Sequence, residues 1–522
     1  HEPLDMPQGL MILASIAQNE GHQTALMDLN VYRPTPSYRD IAKQMAVEKW
    51  DVIAIGGLSS MYSEIKTLLK IARKLNPDAL IVCGGGFITY MADKVMTFCK
   101  EIDIAGIGEG EETWKEILRT YEKGNGKWKN VKGFWNDVKG ICYREDEKMV
   151  YTEPRPLISN LDDIPYPAFD LIDMQEYFKY SGAMWFNGSW KSERRLNMVT
   201  ERGCPRQCTF CTHNGLSRWD QIVSVGKEKV LEMDKEYGFQ QIARYNSARY
   251  VVDHMKFLYE KYGVTYVFVA DENLTSNKKR THEICDLIIE EGLNKKIHWG
   301  ASGDTASVDD TMIKRMKEAG CTYVTYGGES GSDKVLKYDI QKGTTNQNNQ
   351  NAVDIMKRQK MEPIMTFMVG NPNENINDVL ETVEFFKKNN ISAGPFICTP
   401  YPGTRLFLDH EDFILGQFDE RLNLIKNLPV DSIDKETISK WKMDALEKFL
   451  VSLDDADVLS AHVSQVFNHA ELLGIQNLMF SKDSGKLLKL AHMRSWPHDE
   501  KWNKLCPVCK ANEELAQIVP MN

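Results

Sequence analysis

The run Arg202-Gly203-Cys204-Pro205-Arg206-Gln207-Cys208-Thr209-Phe210-Cys211 constrains this chain more than any other stretch. Its spacing, C-x3-C-x2-C, gathers three thiolates in a loop broken by Gly and Pro. Such a loop can hold three irons of a cubane cluster and leave the fourth without a protein ligand. An open metal position is a place for a substrate to bind. The competing readings are three unrelated thiols, or part of a zinc site. Spacing, flanking residues and context favour the cluster.

A chain of 522 residues exceeds one ordinary core and predicts two or three domains. With 42% apolar and 26% charged residues, it has the composition of a soluble globular protein. No apolar run is long enough to cross a bilayer, and none reads as a secretory leader. A net charge of −10 argues against a sequence-independent grip on nucleic acid. Eleven cysteines over this length do not suggest a disulfide scaffold. The expected setting is a reducing cytoplasm, and an oxygen-sensitive cluster favours an anaerobic one.

Residues 1–125 predict a parallel, doubly wound α/β domain. An amphipathic helix starts at Gly9 and stops near Gly21. Apolar runs follow at Thr24–Leu29, Val52–Gly56 and Leu80–Cys83, with a helix around Ile65–Leu75 between the last two. Ligands on such sheets sit at the carboxyl ends of strands. The candidate loops are Gly57–Tyr62, Cys83–Gly86 and Gly106–Glu111. Glycine there lets a backbone approach a large flat ligand or a phosphate, though glycines also end strands in many α/β proteins. No Gly-x-Gly-x-x-Gly with a ribose-binding acid follows the first strand, which weakens a nicotinamide site. Residues 126–190 read as a linker, with part of a small hairpin at Tyr143–Tyr151. Its segment Leu161–Pro167 cannot be helical across its prolines.

Residues 191–405 predict repeated strand–helix units. The strands are Leu196–Thr200, Thr265–Ala270, Ile297–Ala301, Tyr323–Gly327, Ile364–Val369 and Gly394–Cys398. The helices include His282–Glu291, Asp309–Glu318 and Asn377–Asn389. Six units fit a partial (β/α)6 barrel whose chemistry sits at the strand C-termini, where the cysteine loop emerges. Asp271-Glu272-Asn273, Gly327–Gly331, Gly370–Pro372 and Thr399–Thr404 follow other strands.

The cysteine signature, with Ala270–Asn277, Met316–Cys321, Gly328–Ser332 and Pro400–Thr404 in that order, resembles the cobalamin-dependent radical S-adenosylmethionine (SAM) enzymes. The resemblance covers roughly residues 5–410. It implies a [4Fe-4S] cluster on Cys204, Cys208 and Cys211, with SAM on the open iron and Phe210 near the adenine. Glu329 and Ser330 are the expected contacts for the SAM ammonium and carboxylate, and Glu272 or Asn273 for ribose or substrate. The order Pro7–Leu10, Gly21-His22, Asp28, Gly84-Gly85 and Gly108-Glu109 resembles a cobalamin-binding domain. Gly84, Gly85, Gly108 and Glu109 are then expected at the corrin. No Asp-x-His-x-x-Gly occurs, so no His from that motif faces the corrin's lower side. Leu58, Ser59, Met61 and Tyr62 are the candidates for that face. Two departures stand out: the chain opens at His1, where the family already has a strand, and Asp304 stands where many members have Arg.

The resemblance implies a radical C-methyltransferase. SAM is cleaved to a 5′-deoxyadenosyl radical, which takes hydrogen from an unactivated sp3 carbon. Methylcobalamin then gives its methyl to that carbon. Flavodoxin or ferredoxin is the expected electron donor, and neither nucleic acid nor membrane an expected partner. The substrate stays open between a peptide or protein residue, for example the Cα of Gln in methyl-coenzyme M reductase, and a small molecule. A tetrapyrrole oxidative cyclase without methyl transfer is the alternative. A tRNA methylthiotransferase would need a second cluster, and Cys83, Cys99 and Cys142 do not sit in its frame. A corrinoid sensor or carrier would leave SAM intact.

Residues 406–522 predict a helical cap over the open barrel, with an amphipathic stretch at Ser439–Leu453. Cys506-Pro507-Val508-Cys509 with His492 and His498 is half of a metal site or a set of unpaired residues, and its spacing is not a standard finger.

Overall fold

Across residues 52–123, strands and helices alternate in the N-terminal domain. In the computed structural model, which describes residues 6–29, 31, 36–180, 194–213, 243–391, 395–419, 421, 422 and 433–455, strands β1 (Val52–Gly56), β2 (Leu80–Gly84) and β3 (Ile104–Gly106) pair in parallel. An antiparallel hairpin, β4 (Ile141–Glu145) and β5 (Lys148–Tyr151), extends the sheet beside β3. Leu80, Val82 and Ile104 belong to the core that holds residues of α1 (Gln8–Asn19). Ile81, Cys83 and Ala105 belong to the opposite one. Both faces are covered, as parallel strands require.

Three further helices lie on that domain. They are α2 (Tyr38–Met45), α3 (Tyr62–Leu75) and α4 (Gly86–Phe98). Helix α5 (Gly110–Lys123) returns to the α1 side, where Trp114 donates to the Leu13 carbonyl at 3.1 Å. The stretch Thr24–Leu29 carries no strand. Among the described residues no neighbour offers it a ladder, and side chains hold it instead. Leu26 packs on the barrel core, and Asp28 accepts from the hydroxyl of Tyr177 in α6 (Met174–Tyr180).

The second sheet has six parallel strands in the spatial order β13-β12-β11-β10-β9-β6. These are β6 (Arg195–Met198), β9 (Tyr266–Val269), β10 (His298–Gly303), β11 (Cys321–Glu329), β12 (Ile364–Val369) and β13 (Pro395–Ile397). The two-residue strands β7 (Glu201–Arg202) and β8 (Arg244–Tyr245) pair antiparallel beside the rim. The sequential order of neighbours is that of an open (β/α)6 barrel. Its helices start where the sequence offers caps: Ser247, Asp309 and Thr345 each accept from a backbone amide of the first turn.

Of the region expected as a cap over the barrel, the described part, 406–419, 421, 422 and 433–455, lies elsewhere. Helices Arg405–Phe418 and Lys435–Ser452 pack on the α3–α4 face of the N-terminal sheet. Phe407 stacks on Phe449 at 5.4 Å, and the Tyr62 hydroxyl donates to Glu447 at 2.9 Å. The apolar stripe of Lys435–Ser452, Ala445, Leu446, Phe449 and Leu450, is buried there. Cys506, Cys509, His492 and His498 lie outside the described residues. Phe449→Ala should cost about 3–5 kcal/mol of local packing. It should free the last described helix, read as faster proteolysis after residue 433 with the barrel still folded.

Candidate functional site

The cysteine loop is launched by a buried carboxylate. Asp271, just after β9, accepts from the backbone amides of Thr200 (2.5 Å) and Glu201 (3.1 Å) and from the Thr200 hydroxyl. Arg280 closes the arrangement, donating to the carbonyls of Thr200 (2.9 Å) and Asn246 (2.8 Å). Burial raises the Asp271 carboxyl to about 6, although Arg280 and Thr200 oppose it. The adjacent Glu201 is pushed well above the carboxylate range by burial and by Asp271, and its Oε1 accepts from the Asn273 amide. Asp271 and Glu201 are therefore scaffold. Asn273 turns its side-chain amide toward Cys204 Sγ at 3.8 Å. Glu272 pairs with His213 at 2.9 Å, and although burial works against it, Glu272 raises the imidazole.

Of the three thiols, Cys208 is buried and Cys204 and Cys211 are half-buried. Burial first, then the neighbouring Glu329, Cys211 and Cys204, push the Cys208 thiol well up, while Lys342 opposes them. Among the described residues no three ligating side chains close on a single ion. Phe210 packs against Val335, Leu336, Ile340 and Met368.

Two ion pairs flank the thiols. Lys342, buried, donates to Glu329 Oε1 at 2.8 Å and to the Gly327 carbonyl at 2.5 Å. Burial works against its charge, yet Glu329, Cys208 and Asp304 raise it above the ordinary lysine value. Glu329 sits at φ 60°, just past a register shift in β11. A Cβ on Gly327 would strike the Glu329 carboxylate and come within 2.6 Å of Lys342 Nζ, so the glycine makes room for the pair. The second pair joins Arg206, from the cysteine loop, to Asp304 at 2.6 Å. Asp304, the departure noted in the sequence, thus receives a cation from between the cysteines. Ser330 differs from expectation: it is fully buried, and its hydroxyl accepts from Ser332 N at 3.1 Å and meets Thr382. It stiffens the loop rather than facing a ligand.

The N-terminal strand ends carry the second set of candidates. Gly85 is exposed at φ 98°, and a Cβ there would lie 2.9 Å from the Gly57 carbonyl. Leu58 and Met61 are 64% and 40% exposed, an apolar surface beside the half-buried Gly84. Ser59 is buried. Tyr62 departs from expectation: it is 1% exposed and turned to Glu447, because it begins α3 on the core side. Gly108 is half-buried at φ 75°, with open space where a side chain would stand, and its amide donates to Thr89 at 3.1 Å. Glu109 is also corrected. Its carboxylate accepts from Arg202 (3.0 Å), Arg244 (2.8 and 2.9 Å) and Ile158 N (2.7 Å). It is fully engaged within the protein.

This geometry meets its relatives at two points. The family profile "B12 binding domain" matches residues 6–118, and "Radical SAM superfamily" matches residues 198–386. An uncharacterized methyltransferase of Pyrococcus horikoshii is 33% identical over 402 residues, covering 77% of each chain. The chain belongs to the cobalamin-dependent radical SAM family. The anaerobic magnesium-protoporphyrin IX monomethyl ester cyclase of Cereibacter sphaeroides is 27% identical over 380 residues, 72% of this chain and 56% of that one. The fold is shared with the radical SAM methyltransferase TsrM of Kitasatospora setae, solved with cobalamin and a [4Fe-4S] cluster (TM-score 0.61, 15% identity, 79% of this chain and 76% of that one). Among the described residues no helix is long and apolar enough to cross a membrane.

The residues fit the family's cofactors. Cationic Lys342 beside Cys208 favours the thiolates that a cluster needs. Exposed Leu58 and Met61 beside Gly85 suit a large flat ring. Lys342, Arg206 and His213 escaped sequence reasoning, because a lone cation carries no pattern; only the exchange of Arg for Asp304 hinted at new wiring. Arg206→Met should destabilise the barrel by about 2–3 kcal/mol, since it strips buried Asp304 of its bonded cation. Adding Asp304→Asn should recover most of that loss, measured as thermal midpoints in a double-mutant cycle.

Proposed function

We propose that this enzyme methylates an unactivated sp3 carbon. The proposed substrate is a peptide or protein residue, for example the Cα of Gln in methyl-coenzyme M reductase, and flavodoxin or ferredoxin is the proposed electron donor. The observation that carries the reading is the meeting of two mounts. Helix α4 begins at the glycine loop after β2 and breaks at Met91. Just before the break, Tyr90 donates its hydroxyl to the carbonyl of Thr212, next to Cys211. This contact supports a corrin site and a cluster site that adjoin.

Cys204, Cys208 and Cys211 would hold the cluster, Glu329 would accept the SAM ammonium, and Phe210 would back the adenine. The glycines at 84, 85 and 108 would let backbone approach the corrin, with Leu58 and Met61 beneath it. When bound, these cofactors supply a radical that removes hydrogen from carbon and a methyl group to replace it. The protein's own task is to orient substrate and exclude water, because a radical meeting either solvent or a stray side chain is lost. Glu272 and His213 at the loop are the polar pair available to orient substrate.

The likeness to the magnesium-protoporphyrin cyclase supports a second reading, oxidative ring closure on a tetrapyrrole without methyl transfer. Reduced holoenzyme with methyl-labelled SAM and a peptide pool or cell extract separates the two. Methyl transfer gives equal 5′-deoxyadenosine, S-adenosylhomocysteine and labelled product. Deoxyadenosine with label absent from every product of an extract containing the substrate would favour the cyclase. Cys208→Ala should lose iron and deoxyadenosine formation together while cobalt content stays; retained cleavage would remove the cluster assignment.

A further inference from the structure

The loop that carries the three cysteines is fastened at both ends to the N-terminal domain. Upstream, Arg202 lies two residues before Cys204. It donates to Glu109 at 3.0 Å and to Glu111 Oε2 at 3.2 Å, with a second contact to Glu111 Oε1. Both acids sit where the glycine loop after β3 enters α5. Arg244, on the strand paired with β7, grips Glu109 as well and donates to the Ile158 carbonyl at 2.6 Å. Downstream, one residue past Cys211, the Thr212 carbonyl accepts from Tyr90, itself 8% exposed. The two acids have side chains only 13% and 9% exposed, so the upstream fastening is largely shielded from solvent and salt.

Two domains joined by a linker are expected to shift against each other unless something prevents it. Here the fastenings fall on the two segments whose separation matters most, the glycine loops of one domain and the thiol loop of the other. We propose that Arg202, Glu109, Glu111 and Tyr90 are positioning residues. They mount the cysteine loop on the cobalamin-binding domain and thereby fix the spacing between the two cofactors. This rests on the cofactor assignment above. Neither tether touches a reacting atom; each acts through the loop it holds. Their chemistry also differs, a charge-assisted fork at one end and a single neutral hydroxyl at the other, so each can be released alone.

The test uses cluster-loaded full chain with Glu111→Gln, Tyr90→Phe and the pair combined. Tyr90→Phe removes one oxygen and keeps the ring, so it folds even if the charged variant does not. Amide hydrogen exchange across 203–212 should become roughly tenfold faster in each single variant and faster still in the double one. Unchanged exchange in the folded variants would overturn the tethers. The second readout is magnetic coupling between cob(II)alamin and the reduced cluster, which should be narrowly distributed in the parent and broadened in the variants. Faster exchange with unaltered coupling would overturn the claim that the tethers set cofactor spacing. A parent chain that loads iron but no cobalamin would refute the cobalamin assignment instead, leaving exchange to judge the tethers.

Discussion

Everything at the rim depends on how β6 ends. A parallel strand leaving a barrel exposes backbone amides that need acceptors. Asp271, at the end of the neighbouring β9, supplies one carboxylate to the amides of Thr200 and Glu201 and to the Thr200 hydroxyl. Burying that charge is costly, and Arg280 offsets it while anchoring the Thr200 carbonyl. The result is a stiff exit from which the chain passes through β7 into Gly203 and the first cysteine. Without it the thiols would stand on a loop whose origin could wander.

Around those thiols the charges alternate. Lys342 lies between Glu329 and Cys208, and Arg206 lies on Asp304. Buried pairs of this kind add little to net stability, because desolvation consumes most of the attraction. Their value is geometric. Each acid accepts from a cation, so the end of β10 is registered against the loop between the cysteines and the end of β11 against the segment that carries Lys342.

Much of the architecture was legible from period and spacing. All six barrel strands were located within about two residues, because β-branched and aromatic runs alternated with amphipathic helices. The cysteine loop was legible for the same local reason. What escaped reading was tertiary. Thr24–Leu29 has the composition of a strand but no neighbouring edge among the described residues. Tyr62 stands in a loop with exposed Leu58 and Met61, yet it faces inward, because a residue opening α3 points to the core. Glu109 sits in a run of glycines that resembles a ligand loop, and nothing local reveals that Arg202 and Arg244 lie across from it.

Glu109 also shows why a polar residue beside glycines is weak evidence for a ligand. An acid at the N-terminus of α5 is favoured there by the helix dipole whatever else it does. Once it is half-buried at a domain boundary, it must find cations, and the two arginines on β7 and β8 satisfy it completely. Leu58 and Met61 carry the opposite signal. Both are large apolar side chains that face solvent next to the glycine loop after β2, where the proposed function seats the corrin. In the proposed function these exposed apolar residues, more than the acid, supply the surface for a flat hydrophobic ligand.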